Sequence, residues 1–451
     1  MLTTTRGTLR VSGVLVALAA VTSGCARDTH TGTADDSSTK RASTSAPASH
    51  RGLGDILVGG QAVTGSQSTN LAKVPYRRTY ADGPLYAPVT GYRSLAFGNT
   101  GLEALYNDSL TSGAPRDVTT TIDPVVQKTA FNALGDQQGA AVALDANSGK
   151  LLALVSTPSY DPAQFSGNSE KDAQAWKSAT ADSRSPMLNR ALKQADAPGT
   201  TFSVVVAAAA LDQGLYATAG DATVSPLTYV LPLSTKRVKG ASSQCENASI
   251  TVALRRSCTN VFTKMAVDLG QNRLRAAAQK FGFDDDTLMV PLPVATSTSI
   301  RDDTTAPETA LAGMGTGDVR ATPLQMARVA AAVANGGQVM APRLVEETAK
   351  ADDATQQSQA ADGAVSIKAM SRSTADALRA ALGSNGQTGW VPCGRGNSAA
   401  SWFIGHTKAT NGRHIAVAVR VGGLPCAADA DAVGGGRAAA EAAKKILASV
   451  S

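Results

Sequence analysis

Apolar and polar positions divide the chain into a short apolar run, a polar stretch and a long patterned body. Val11 to Val21 is the apolar run, and residues 26–50 after it hold almost no large apolar side chain. Short strand-like segments such as Asp55-Ile-Leu-Val58 then alternate with Gly and Pro turns up to about residue 118. Beyond that point the signals lengthen. Ala140 to Asp145 and Lys150 to Ser156 read as two apolar strands joined by Ala146-Asn-Ser-Gly149, a hairpin turn. Phe202 to Gln213 reads as an Ala-rich helix. Ser249 to Leu269 and Thr322 to Ala334 are helical by spacing, the second opening on Thr-Pro as N-cap and first position. Ser373 to Leu382 is a further helix, Ser401 to Gly405 and His414 to Val421 read as adjacent buried strands, and Gly436 to Val450 is a closing amphipathic helix. The expected fold class is α+β.

Composition adds a compartment to this outline. The chain has 451 residues with 43% apolar and 17% charged side chains, enough for a sizeable core, but only 4% are aromatic, so Ala, Val and Leu must fill it. A formal net charge of +6, spread along the chain, suits the anionic face of a bacterial envelope and is too diffuse for a nucleic-acid partner. Arg6 and Arg10 ahead of the apolar run make an export signal, and the run is too short to span a bilayer. Thr22-Ser-Gly-Cys25 resembles a lipobox, so lipidation at Cys25 is expected. The alternative is ordinary cleavage and a secreted product. The predicted organisation is a signal peptide over 1–24, a lipidated flexible tether over 25–50, an N-terminal module over 51–118 and a larger domain over 119–451.

Four cysteines remain: Cys245, Cys258, Cys393 and Cys426. They permit two disulfides in an oxidising compartment, with three connectivities open and neighbour pairing the simplest. Scattered histidines and no Cys-x-x-Cys predict neither metal nor cofactor.

Several stretches together resemble the class B penicillin-binding proteins. Gly83-Pro-Leu-Tyr-Ala-Pro-Val-Thr-Gly-Tyr92 and Thr100-Gly-Leu-Glu103 resemble the module that precedes the transpeptidase domain. Thr121-Ile-Asp-Pro124 with Gln127, and the run from Ala143 to Pro162, resemble the domain's start and first hairpin. Asn189-Arg-Ala191, Pro198-Gly199, Ala321-Thr-Pro-Leu-Gln-Met-Ala327 and Ala334-Asn-Gly-Gly337 complete the order. The resemblance implies the penicillin-binding transpeptidase (serine β-lactamase-like) fold, an antiparallel sheet flanked by helices. It also implies three motifs, S-x-x-K, S-x-N and K-T-G, in which a serine attacks an acyl-D-Ala-D-Ala amide or a β-lactam and a lysine three residues on takes its proton.

At those positions this chain departs from the family. The first motif reads Thr200-Thr201-Phe202-Ser203, so Thr200 replaces the serine and Ser203 the lysine. The second reads Ser257-Cys258-Thr259, keeping its serine and replacing asparagine by Thr259. The third is assigned to Gln387-Thr388-Gly389, with glutamine for lysine; Lys408 falls after the Trp402-Phe403 strand and is rejected. Threonine keeps a hydroxyl, but Ser203 is no base at neutral pH, and loss of a positioned base removes about 10²–10⁴ in rate. Gln387 carries no charge for a substrate carboxylate. His406 and His414 are expected as polar residues at strand ends, and Trp390 as a side chain able to fill the cleft.

The resulting expectation is a cell-wall (peptidoglycan) protein without catalytic residues, a binding or scaffold protein on the outer face of the membrane. Its candidate partners are peptidoglycan stem peptides, β-lactams and cell-wall synthesis proteins. The alternatives are a residual D,D-transpeptidase, carboxypeptidase or penicillin binder using Thr200, and a non-covalent sensor of β-lactams or muropeptides.

Overall fold

The computed structural model describes residues 52–346, 366–393, 398–426 and 436–450. The expected signal segment, Cys25 and the polar tether lie outside the described residues. From Ser49 to Ser451 the chain forms one compact unit.

Helix α1 (Pro124–Leu134) opens on Asp123, whose carboxylate accepts from the Val125 and Val126 N–H groups, with proline at the first position. Strands β1 (Gly139–Asp145) and β2 (Leu151–Thr157) follow as the expected hairpin, its turn closed by Asp145 Oδ1 accepting from the Asn147 and Ser148 N–H groups. Every residue of both strands is buried, which explains why they read as unbroken apolar runs: both faces of the sheet are covered.

Gly199–Phe202 forms a 3-10 turn that runs into helix α2 (Ser203–Asp212). A small hairpin of β3 (Thr228–Val230) and β4 (Arg237–Lys239) comes next, then α3 (Ile250–Arg256) and α4 (Thr259–Leu269). Helices α5 (Pro323–Ala334) and α6 (Arg372–Leu382) lead to β5 (Gln387–Val391), β6 (Ala399–Lys408) and β7 (His414–Leu424), and α7 (Arg437–Ser449) closes the chain.

The large sheet has the order β5-β6-β7-β1-β2 and is antiparallel throughout. The last strands of the chain thus pair with its first long hairpin. One face packs Ala141, Val155, Val417 and Val419 against Val126, Ala130, Ala443 and Ile446 of α1 and α7. The other packs Val142, Leu144, Trp402, Ile404 and Ala418 into the core shared with α2, α4 and α5. Every residue of α5 is buried. Its Gln325 donates Nε2–H to the Phe281 carbonyl at 2.8 Å and accepts from Arg328 Nη1 at 2.9 Å, so polar side chains survive there by pairing.

Two expected helices are redrawn. The helix from Phe202 begins earlier, as the 3-10 turn at Gly199. The helix over Ser249–Leu269 is two helices, because Ser257 sits in the left-handed region (φ 50°, ψ 48°) and ends α3. Cys258, the next residue, is held by a disulfide to Cys245, and Cys393 pairs with Cys426. Neighbour pairing is therefore the connectivity formed. Among the described residues no helix is long and apolar enough to cross a membrane, and no group of three His, Cys, Asp or Glu residues is placed to hold a metal ion.

Candidate active-site cleft

The first and third motif positions meet because two glycines let a turn press onto a strand edge. Gly199 has φ +57°, and a Cβ there would lie 2.7 Å from the Trp390 carbonyl oxygen of β5. A Cβ at Gly389 would lie 2.7 Å from the Pro198 carbonyl oxygen. No larger residue fits either place without moving backbone. Gly199 N–H donates to the Gly315 carbonyl at 3.0 Å, and Thr201 Oγ1 to the Pro198 carbonyl at 2.7 Å, which fixes the turn from behind.

In this setting Thr200 is 8% exposed and donates its hydroxyl to the Thr388 carbonyl oxygen at 2.9 Å. The same carbonyl accepts from Gln387 Nε2 at 3.1 Å, and Gln387 Nε2 also reaches Ser257 Oγ at 3.3 Å. Thr200, Ser257 and Gln387, which are scattered over nearly two hundred residues, therefore form one connected group around the Thr388 carbonyl. Ser257 reaches it because the left-handed break between α3 and α4 turns the chain there.

The remaining motif positions contribute less. Ser203 is fully buried at the start of α2, and its hydroxyl has no hydrogen-bond partner among the described residues. Gln387 is 1% exposed with Oε1 unpartnered. Thr259, half-buried in the first turn of α4, is not brought into the group. Its neighbour Asn260 looks like a displaced motif asparagine, but it is buried with Nδ2 donating to the Pro226 and Cys245 carbonyls, both at 2.9 Å. That amide braces a loop and turns away from the cleft.

No lysine or histidine hydrogen-bonds Thr200 among the described residues. Lys408 lies four residues beyond Ile404, the partner of Gln387 in β6, about 14 Å further along the strand at the usual rise. His406 lies inside β6 rather than at a strand end, and burial, followed by repulsion from His414 and Arg379, pulls its pKa down to about 4. Trp390 is half-buried, and its contribution to the turn is its carbonyl over Gly199.

Chemically, the group holds the Thr200 proton in a hydrogen bond to a backbone carbonyl. A peptide carbonyl accepts a hydrogen bond from Thr200 but is far too weak a base to hold the proton at neutral pH. Among the described residues, the side chains joined to it by hydrogen bonds are another hydroxyl and a neutral amide, and neither is a general base or a cation. Which functional residues sequence reasoning missed is equally clear: the Thr388 carbonyl organises the cleft, and a backbone oxygen leaves no trace in the residue types.

Comparison with known proteins places this geometry. The penicillin binding protein transpeptidase domain family matches residues 139–448, and the penicillin binding protein A dimerisation domain family matches 53–132. The peptidoglycan D,D-transpeptidase PbpA of Mycolicibacterium smegmatis is 38% identical over 68% of this chain and 67% of its own length. Its Mycobacterium tuberculosis counterpart is 37% identical over 65% of each chain. The chain thus spans about two thirds of the length of these curated relatives. The crystal structure of PBPA from M. tuberculosis superposes with a TM-score of 0.78 at 31% identity, covering 89% of this chain and 99% of that one. The same protein has been solved as its penicillin G acyl-enzyme complex, with a TM-score of 0.75, 31% identity and 89% and 99% coverage.

Proposed function

The chain belongs to the penicillin-binding protein transpeptidase family, and on that premise we propose that it is a peptidoglycan-associated protein without acyl-transfer activity, a binding or scaffold protein at the outer face of the bacterial membrane. The observation that carries this reading is the fate of the Thr200 hydroxyl: it is donated to a carbonyl at 2.9 Å, and the position three residues on holds an unpartnered serine. A hydroxyl becomes a useful nucleophile when an adjacent base takes its proton, and Ser203, Ser257 and Gln387 offer none. Gln387 also withdraws the positive charge that would hold a substrate carboxylate.

The ligands proposed are peptidoglycan stem peptides and β-lactams, because relatives carry the names of D,D-transpeptidases and one is solved as a penicillin G acyl-enzyme. Held without reaction, such a ligand gives the cleft a recognition role beside cell-wall synthesis proteins. Lipidation at Cys25, with residues 25–50 as tether, an N-terminal module to residue 118 and the transpeptidase-like domain from 119, belongs to the same reading.

Calorimetry with an acyl-D-Ala-D-Ala peptide, paired with fluorescent-penicillin labelling on a denaturing gel, tests it. Saturable heat without a labelled band is expected. A band that disappears in Thr200→Ala would replace this reading by residual acylation through Thr200, which the retained hydroxyl at the nucleophile position favours. No heat with the peptide, and none when the titration is repeated with penicillin G, would remove cleft binding and leave a scaffold alone.

A further inference from the structure

The hairpin of β3 and β4 stands outside the cleft and exposes side chains that the fold has no use for. Its base is firmly held. Leu231 and Val238 face inward against Ala310, with Val267, Leu311 and Met314 around them. Gly240 N–H donates to the Leu227 carbonyl at 2.8 Å, Asn260 holds the Pro226 carbonyl, and the Cys245–Cys258 disulfide ties the following turn to α4.

The tip is the opposite. Leu231 N–H donates to the Lys236 carbonyl at 2.9 Å and closes a loop in which Leu233 is 97% exposed. Leu233 also has φ 51°, the left-handed region where glycine or asparagine would be expected. A leucine there is unfavourable twice, in backbone conformation and in apolar surface left in water, and at 97% exposure the described residues cover almost none of it. Val230, at the end of β3, is 47% exposed.

Charge completes the pattern. Lys236, Arg237 and Lys239 are exposed, and none pairs with a carboxylate among the described residues. No Asp or Glu occurs between Asp221 and Glu246. The carboxylate facing the hairpin base is Asp268 of α4, near Tyr229, and it is held by Lys264 at 2.5 Å.

We propose that this hairpin is a lipid-contact element: Leu233 enters the headgroup layer of an anionic bilayer while Lys236, Arg237 and Lys239 meet lipid phosphates. The pairing of an apolar tip with flanking cations is the combination that binds membrane interfaces. A single projecting side chain does not suit a protein partner, whose stable interface needs a broad patch of about 800 Å² per side. A soluble polyanion would use the cations and leave Leu233 without purpose.

The test places a reporter at the tip of the full chain. L233W is bound to vesicles whose acyl chains carry bromine, either all phosphatidylcholine or mixed with phosphatidylglycerol, and the added indole is read against the wild type. Quenching on the anionic vesicles and its absence on the neutral ones is expected. K236E/R237E/K239E in the same background should weaken that response by on the order of a hundredfold, with an unchanged circular dichroism spectrum and unfolding midpoint. Equal quenching on both vesicles, quenching on neither, or quenching indifferent to the three charge reversals would overturn the proposal. No cleft residue is altered, so failure here leaves the reading of the cleft standing.

Discussion

The N-terminal module and the cleft each bury a cluster of polar side chains, and they settle it in opposite ways. In the module Glu103 is fully buried, forms an ion pair with Arg78 whose Nε lies at 2.6 Å, and accepts from Arg78 Nη2 at 3.2 Å and Arg93 Nε at 2.9 Å, while Arg78 Nη1 reaches Asp55 at 3.3 Å. Every charge there has an opposite one. In the cleft group no described side chain is charged, and among the described residues Ser203 Oγ and Gln387 Oε1 have no hydrogen-bond partner. The difference teaches what each cluster is for. Paired charges fix one arrangement of short strands and helices that have little core of their own. On the proposed reading, the neutral group keeps the backbone frame of the family's site with uncharged side chains at its motif positions.

The comparison can be broken at its charged end first. Glu103→Gln leaves Arg78 buried without its main counter-charge, and breaking a buried pair in this way costs roughly 3–5 kcal/mol. Urea unfolding of the variant should show that loss; a change under about 1 kcal/mol would mean that water or Asp55 already carries the Arg78 charge.

A second cation-former lies inside β6. The His406 pKa of about 4 lies below the unfolded value near 6.5, so the unfolded state binds the proton more tightly. His406 therefore contributes stability that is fully present above pH 6.5, falls as the pH drops towards 4, and is constant below it. Over that window the loss is about 3 kcal/mol. His406→Gln should remove this component from the difference between unfolding free energies at pH 7 and pH 4.5, with the rest of the acid sensitivity unchanged.

The neutral cluster gives smaller and more telling effects. Ser203→Ala deletes a buried hydroxyl without a partner, so it should be neutral or stabilising by about 1 kcal/mol. A loss of that size instead would reveal a partner for Ser203 Oγ. Thr200→Ala removes one hydrogen bond to the Thr388 carbonyl and should cost about 1 kcal/mol in chemical denaturation, the ordinary value for a structural hydroxyl.

Much of the fold was legible because long segments announced themselves. The β1–β2 hairpin has two apolar runs around an Asn-Ser-Gly turn, and α5 has a Thr-Pro start and helical spacing throughout. The short elements were not legible. Five residues of β5 carry no periodic signal, and its place at the sheet edge follows from pairing with β6. The break at Ser257 was hidden because α3 and α4 share one apolar pattern on either side of it. The Gly199 turn was hidden because its 3-10 geometry answers to the close approach of Trp390. In the cleft, the resemblance to the family's three motifs nominated Thr200, Ser203, Ser257, Thr259 and Gln387. Which of them touch was decided by contacts such as Gln387 to Ser257, separated by 130 residues. Asn260 shows the limit: one residue of register separates a cleft position from a loop brace.

The proposed loss of acylation rests on the Thr200 proton, for which no described side chain is a base. Intact-protein mass spectrometry after prolonged exposure to excess penicillin G reads it without a reporter. An unchanged mass is expected at every time point. A mass increased by one penicillin, mapped to Thr200 by peptide sequencing, would contradict it.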